Sequence, residues 1–219
     1  MRANEPVTLA SLREEYTLGG LAEGDLDPDP VVMLQRWLDE AIRAGLYDPT
    51  GMVLSTVSAT GRPSSRMVLL KGLSVEGLVF FTNYSSRKGE ELAGQEACAV
   101  VFPWHPLQRQ VRVEGVASRL PVEESDAYFA SRPRESQLGA VASPQSRVVE
   151  SRAWLDERYA EVEARFDGKD VPRPAYWGGY LIRPDRFEFW QGRKGRLHDR
   201  FRYLWVPTVQ RWQVDRLAP

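Results

Sequence analysis

Beyond residue 28 the hydrophobic positions switch between two periods. Leu34, Trp37, Leu38, Ala41 and Ile42 recur at helical spacing. Asp29 can cap that run, Pro30 suits a first helical position and Gly45 stops it, so the first helix is predicted between them. From Gly51 the texture changes to short β-rich runs: Met52–Ser58, Ser65–Lys71, Leu78–Thr82, Ala97–Phe102 and Gln108–Leu120. Thr60-Gly61-Arg62-Pro63 joins the first two as an antiparallel hairpin. Helical spacing returns at Glu123–Ser131, Pro133–Val141 and Val148–Phe166, the last with Val148, Leu155, Tyr159, Val162 and Phe166 on one stripe. Strands are expected again at Gly179–Arg183, Arg186–Gln191, Arg196–Val206 and Arg211–Arg216. Many short strands with helices set apart predict a mainly β protein, an antiparallel barrel with peripheral helices. The strand-helix alternation of a Rossmann domain is missing. Residues 1–28, poor in large apolar side chains, read as a mobile N-terminal arm with one helical turn around Leu9–Tyr16; residues 29–219 read as a single domain.

Composition narrows the function classes. Net charge is −1 over 219 residues, which argues against a protein built to coat nucleic acid or a membrane surface. Its longest apolar runs, such as Ala97–Phe102, fall far short of the roughly 20 residues a spanning helix needs. One cysteine, Cys98, and two histidines, His105 and His198, are too few for a His/Cys zinc site, and no metal is expected. With no basic-then-apolar leader, the chain is expected to be cytoplasmic. Arginine outnumbers lysine 25 to 4, a bias that codon preference can explain in total but not in placement. Residues 183–219 hold nine basic and four acidic side chains, whereas residues 1–50 hold four and ten. A cationic region inside a near-neutral protein suits a small anionic ligand.

Four segments could bind one. Arg66 and Lys71 bracket Arg66-Met67-Val68-Leu69-Leu70-Lys71; five apart on a strand, they face opposite sides and could serve two neighbouring anions, although solvated strand ends explain them better in isolation. Phe81-Thr82-Asn83 leads into Ser85-Ser86-Arg87-Lys88, a strand running into a capped helix. Arg87 and Lys88 in the first turn oppose the helix dipole at about 0.3–1 kcal/mol each, a placement that calls for an anion. Tyr128, Arg132 and Ser136 are four apart, but Pro133 breaks any continuous helix, so they belong to the end of one helix and the start of the next. Finally, Phe187 to Arg200 reads as a strand with two unlike faces, a turn at Gly192–Gly195 and a returning strand carrying Arg196, His198 and Arg200 on one face.

These pieces carry a resemblance. Leu12-Arg13-Glu14-Glu15-Tyr16, Arg66 to Lys71, Ser86-Arg87-Lys88, Arg109-Gln110-Val111, Tyr128-Phe129, Ser131-Arg132-Pro133-Arg134, Gln145-Ser146, Trp177-Gly178-Gly179, Phe189 to Arg200 and the ending Arg216-Leu217-Ala218-Pro219 resemble, in family order, the pyridoxamine 5'-phosphate oxidases. The resemblance implies an FMN-binding split β-barrel and a homodimer with two FMN sites between subunits. It implies oxidation of pyridoxamine or pyridoxine 5'-phosphate to pyridoxal 5'-phosphate, with O2 as acceptor and H2O2 as product. FMN would be held by Arg66, Met67, Val68, Leu69, Leu70 and Lys71, by Phe81, Thr82, Arg87 and Lys88, and by Gln110, Gln145, Ser146, Trp190 and Arg200. Lys71, Tyr128, Arg132 and Ser136 would hold the substrate phosphate. Arg196, Leu197 and His198 would lie over the pyridine ring, with Arg196 and His198 catalytic and Arg13 and Tyr16 closing the site. Pro144 and Leu18 depart from the pattern, the one where a basic or polar residue is expected and the other in place of a common lysine. Two other readings stay open: a split-barrel flavoprotein acting on another substrate or a deazaflavin, which need not carry Arg196-x-His198 together with Tyr128, Arg132 and Ser136, and a non-catalytic carrier of pyridoxal phosphate.

Overall fold

The computed structural model describes Leu12 and residues 15–219. Arg13 and most of the helical turn expected at Leu9–Tyr16 lie outside the described residues. Helix α1 spans Pro30–Arg43, with the Asp29 carboxylate accepting from the Val31 N–H at 2.8 Å and Pro30 at its start. Its inward stripe of Met33, Leu34, Trp37, Leu38 and Ala41 is buried. Nine strands follow in one antiparallel sheet: β1 (Gly51–Val57), β2 (Pro63–Leu69), β3 (Gly72–Ser74), β4 (Gly77–Asn83), β5 (Ala97–Trp104), β6 (Arg109–Arg119), β7 (Trp177–Gln191), β8 (Asp199–Val206) and β9 (Arg211–Arg216). Helices α2 (Arg87–Gly94), α3 (Val122–Ser131), α4 (Arg134–Ala142) and α5 (Arg152–Arg165) interrupt them.

Along its main path the sheet runs β2-β1-β5-β6-β7-β4-β3, with β8 and β9 branching from β7. The two ends of that path, β2 and β3, are separated in sequence only by Leu70 and Lys71. A sheet whose outermost strands are joined by two residues has to curl back on itself. The seam is marked by the Lys71 N–H bonded to the Val79 carbonyl at 2.8 Å. Inside the curl, Phe80, Phe102, Val111, Val113, Phe187, Phe189, Phe201 and Tyr203 form the main core with the buried stripe of α1. A second cluster of Phe129, Leu138, Ala142, Val162, Val171 and Trp177 ties α3, α4 and α5 to the start of β7. This is the expected mainly β split barrel with peripheral helices. Among the described residues no helix is long and apolar enough to cross a membrane.

Three expectations need correction. The strands expected at Gly179–Arg183 and Arg186–Gln191 are one strand, β7, running through Pro184. Proline cannot donate to a ladder, and the sheet absorbs it with a register shift that leaves Asp185 unpaired between Pro184 opposite Gly115 and Arg186 opposite Glu114. Gly115 is required there, since a Cβ would sit 2.1 Å from the Arg183 carbonyl oxygen. Helix α5 begins at Arg152, capped by Ser151, and Val148 is fully exposed rather than part of its stripe. Strand β8 begins at Asp199, so Arg196 and His198 precede it and do not share a strand face with Arg200.

Candidate active site

A cavity of about 480 Å3 opens beside the seam. Arg66, Met67, Val68, Leu69 and Lys71 line it from β2 and the seam, Phe81 and Thr82 from the end of β4, and Lys88 from the first turn of α2. Tyr128 and Arg132, at the α3–α4 junction, close it with Gln145 and Trp177. Leu70, with 5% exposure, turns into the core and does not line the cavity, while Val68 both lines the cavity and packs against that core. Four cations thus share one cavity, and no carboxylate lines it.

Lys88 shows the electrostatic consequence. The Ser86 hydroxyl caps α2, and the buried Lys88 ammonium lies 3.0 Å from that oxygen, 3.2 Å from Thr82 Oγ1 and 2.8 Å from Gln145 Oε1. Burial, and after it the charge of Arg66, lowers its pKa from 10.5 to about 8. Arg66 is fastened by the carbonyls of Leu54 and Ser64 and the hydroxyls of Thr56 and Ser64. Arg87, one residue before Lys88 in the first turn of α2, does not itself line the cavity; its Nε donates to Glu91 on its own helix at 2.9 Å. Ser146 adopts a left-handed backbone, φ 72°, beside Gln145, and does not line the cavity.

Across Arg132 lies a smaller space of about 290 Å3, reached by Ser136 from the first turn of α4 and sharing Arg132, Gln145 and Trp177 with the larger one. The Arg132 guanidinium lies 4.6 Å from the Trp177 ring centroid, and its Nη1 is buried without a hydrogen-bond partner. A buried, unpaired guanidinium nitrogen is costly, and an anion would satisfy it. Tyr128 stacks on Phe81 with centroids 3.7 Å apart; burial raises its phenol pKa, against the pull of Arg132, so it stays a neutral donor.

The remaining expected residues gather elsewhere. Gln110, Trp190 and Arg200 are consecutive cross-strand partners over β6, β7 and β8. Around Trp190 stand His198, centroid 4.7 Å away, and Tyr16, which meets both rings edge-on at 5.6 and 5.4 Å. The Arg196 guanidinium caps the Tyr16 ring at 5.6 Å, whereas Leu197 is 74% exposed. Arg196 has φ 64° directly after Gly195 at 63°, a left-handed pair in which the arginine is strained. His198 Nδ1 accepts from the Arg193 N–H at 3.1 Å, so its proton sits on Nε2; burial and the charges of Arg196 and Arg200 lower its pKa and keep the ring neutral. Arg200 is held by the buried Glu188 at 2.8 Å and by the Ala218 carbonyl.

The two groups sit at opposite ends of β7. Trp177 belongs to the cavity and Trp190 to the other cluster, so thirteen residues at about 3.3 Å each leave roughly 40 Å of strand contour between them. Neither Trp190, Arg196 nor His198 lines the cavity within one chain.

Sequence reasoning missed the groups that hold these parts in place. Trp177 lines both spaces. Gln108 Oε1 accepts from the N–H groups of Thr17 and Leu18 at 2.9 and 3.0 Å, Gln191 Nε2 donates to the Leu18 carbonyl, and Asp199 accepts from the Leu21 N–H. Backbone docking of this kind leaves no signature in side-chain patterning. Glu91, by contrast, was findable as the residue four after Arg87.

The chain is similar to known proteins along nearly its whole length. Residues 38–166 match the family model described as pyridoxamine 5'-phosphate oxidase, and residues 177–219 the one described as the pyridoxine 5'-phosphate oxidase C-terminal dimerisation region. A pyridoxine/pyridoxamine 5'-phosphate oxidase of Rubrobacter xylanophilus is 59% identical over 211 residues, 96% of each chain. One from a Nocardioides species is 57% identical over 96% of this chain and 98% of its own. Among solved structures, PhzG from Burkholderia lata, crystallised with tetrahydrophenazine-1-carboxylic acid, superposes with a TM-score of 0.86 at 30% identity, covering 92% of this chain and 99% of that one. With this coverage and identity, the chain belongs to the pyridoxamine 5'-phosphate oxidase family.

Proposed function

We propose that this protein oxidises pyridoxamine 5'-phosphate and pyridoxine 5'-phosphate to pyridoxal 5'-phosphate in the cytoplasm, using FMN and passing the electrons to O2 to give H2O2. The observation that carries the reading is one cavity lined by Arg66, Lys71, Lys88 and Arg132 together with Tyr128 and by no carboxylate, cations enough for two phosphates. Cofactor and substrate each bring a phosphate that is mostly dianionic at neutral pH. A buried lysine pressed by a neighbouring arginine, and an arginine nitrogen with no partner, are what such anions would relieve, so these residues fit both molecules.

Arg66, Arg87 and Lys88 hold the FMN phosphate, with Gln145 and Ser146 beside them. Arg132 takes the substrate phosphate with Lys71, Tyr128 and Ser136, far from the reacting carbon. FMN, when bound, supplies the two-electron acceptor for hydride leaving the C4′ carbon. The protein's part is binding and aim. Tyr128 donates from its neutral phenol; His198 presents a neutral imidazole with its proton on Nε2, and Arg196 offers a fixed positive charge over the ring. No side chain has to act as a nucleophile.

Because about 40 Å of strand separates the Trp190 cluster from the cavity, a second copy supplies it, and each site of the homodimer combines the cavity of one chain with Gln110, Trp190, Arg196, His198 and Arg200 of the other. Residues 29–219 act as one domain, and the segment before α1 is the arm that brings Tyr16 over Trp190 and His198. The identities of 59% and 57% to oxidases that share both substrates in their names support this reading over another flavoprotein substrate. The test is the visible spectrum of the purified protein before and after anaerobic addition of pyridoxamine 5'-phosphate. A yellow protein that bleaches is expected; a colourless protein, or a yellow one that keeps its colour, overturns the proposal.

A further inference from the structure

A buried acid sits directly behind the cations assigned to the FMN phosphate. Glu91 lies on α2 with 7% exposure and turns back toward the sheet. One carboxylate oxygen accepts from the hydroxyls of Thr56 on β1 and Ser64 on β2 and lies 3.3 Å from Arg66 Nη2; the other accepts from Arg87 Nε at 2.9 Å. Burial alone would raise its pKa, but the hydrogen bonds from Ser64, Thr56 and Arg87, with the charge of Arg87, bring it down to about 2. A full negative charge this close to a phosphate site looks counterproductive at first.

Two facts give it a purpose. Arg66 and Arg87 come from different elements, an edge strand and a helix start, and Glu91 ion-pairs with both. Arg87 is 60% exposed and, among the described residues, its side chain has Glu91 as its sole hydrogen-bond partner. Released, so long a side chain would spread over many rotamers. Charge is the second fact. Arg66, Arg87 and Lys88 carry three positive charges when Lys88 is protonated, and Glu91 trims the total to two, the charge a phosphate dianion neutralises.

We infer that Glu91 is a positioning residue for the cofactor phosphate: it fixes Arg66 and Arg87 in one arrangement, matches the cradle's charge to a phosphate dianion and so makes the site select the phosphorylated flavin over riboflavin. The inference rests on the FMN reading above. Apoprotein of the wild type, Glu91→Gln and Glu91→Asp is titrated with FMN and, separately, with riboflavin, following flavin fluorescence. Gln keeps the size and removes the charge; Asp keeps the charge and shortens the reach. Both variants are expected to bind FMN about tenfold more weakly while riboflavin affinity stays at the wild-type value. The Asp variant alone decides the matter if the Gln variant does not fold. Tighter FMN binding in Glu91→Gln would show that the acid merely repels the phosphate, and equal losses for both flavins would show that it only holds the fold; either overturns the inference. A wild-type apoprotein that binds no FMN overturns the FMN reading instead, a distinct result.

Discussion

Raising the pH should release the cofactor, and Lys88 sets how steeply. Its pKa is about 8 against an ordinary 10.5, because burial and then Arg66 disfavour the charged form. A phosphate dianion beside it favours that form. If the complex restores the ordinary value, then at pH 9.5 about 90% of bound Lys88 is charged but only about 3% of the apoprotein's, so the Kd for FMN should rise about thirtyfold between pH 7 and pH 9.5. The phosphate does not titrate in that window, its second pKa being about 6. Nor does Tyr128, whose pKa is raised above its ordinary 10. The stability of the apoprotein moves the other way. A lysine whose folded pKa lies below its unfolded value destabilises the fold below about pH 8, and that penalty fades as the pH rises from about 8 to 10.5. Fluorescence titrations of wild-type and Lys88→Met apoprotein at half-unit pH steps measure the slope. The wild type should show the thirtyfold change, and the variant weaker binding at pH 7 with a flat profile. A wild-type Kd that varies less than threefold, or a variant that keeps the slope, refutes the reasoning.

Other consequences follow from the same geometry. Arg132→Ala should raise KM about ten- to a hundredfold with a smaller effect on kcat, since it removes a charge-assisted contact remote from the reacting carbon. Arg196→Ala and His198→Ala should instead slow anaerobic flavin reduction at saturating substrate, and a wild-type rate in both would dismiss their role over the ring. Gly89→Ala would put a Cβ 2.2 Å from the Tyr84 carbonyl oxygen, and thermal unfolding should show a loss of about 1–3 kcal/mol. Gln108→Ala frees the N–H groups of Thr17 and Leu18, so limited proteolysis within residues 15–22 should accelerate and KM should rise. Sedimentation should give about twice 24.9 kDa; a fully active monomer would rule out a site shared between copies.

What could be read in advance was local. The first helix is specified by Asp29, Pro30 and an uninterrupted apolar stripe, and the β1–β2 hairpin by Gly61, whose φ of 78° few other residues tolerate. The break between α3 and α4 followed from Pro133. Nonlocal pairing was not legible. Pro184 reads as a strand end, yet the partner strand supplies Gly115 and a register shift that carry β7 past it. Arg196, His198 and Arg200 alternate as a strand would, but two left-handed residues at 195 and 196 bend the first two onto Tyr16 and Trp190. The cations of the site were visible because clustered charge is conspicuous in a sequence. Their separation into two groups along β7 was not, since it depends on which end of one long strand each group reaches.

The position of β7 in the sheet also dictates the order in which the molecule can mature on the ribosome. It is the fifth strand of the path yet the seventh in sequence, lying between β6 and β4 and supporting β8. Until Gln191 emerges, β4, complete at Asn83, and β6, complete at Arg119, each present an unpaired edge. At about 5–20 residues per second, β4 waits roughly 5–20 s for its partner. During that interval the nascent chain is a pair of open ladders vulnerable to chance pairing with other chains, and any message truncated before β7 yields a product that cannot close its barrel or form either half of the site.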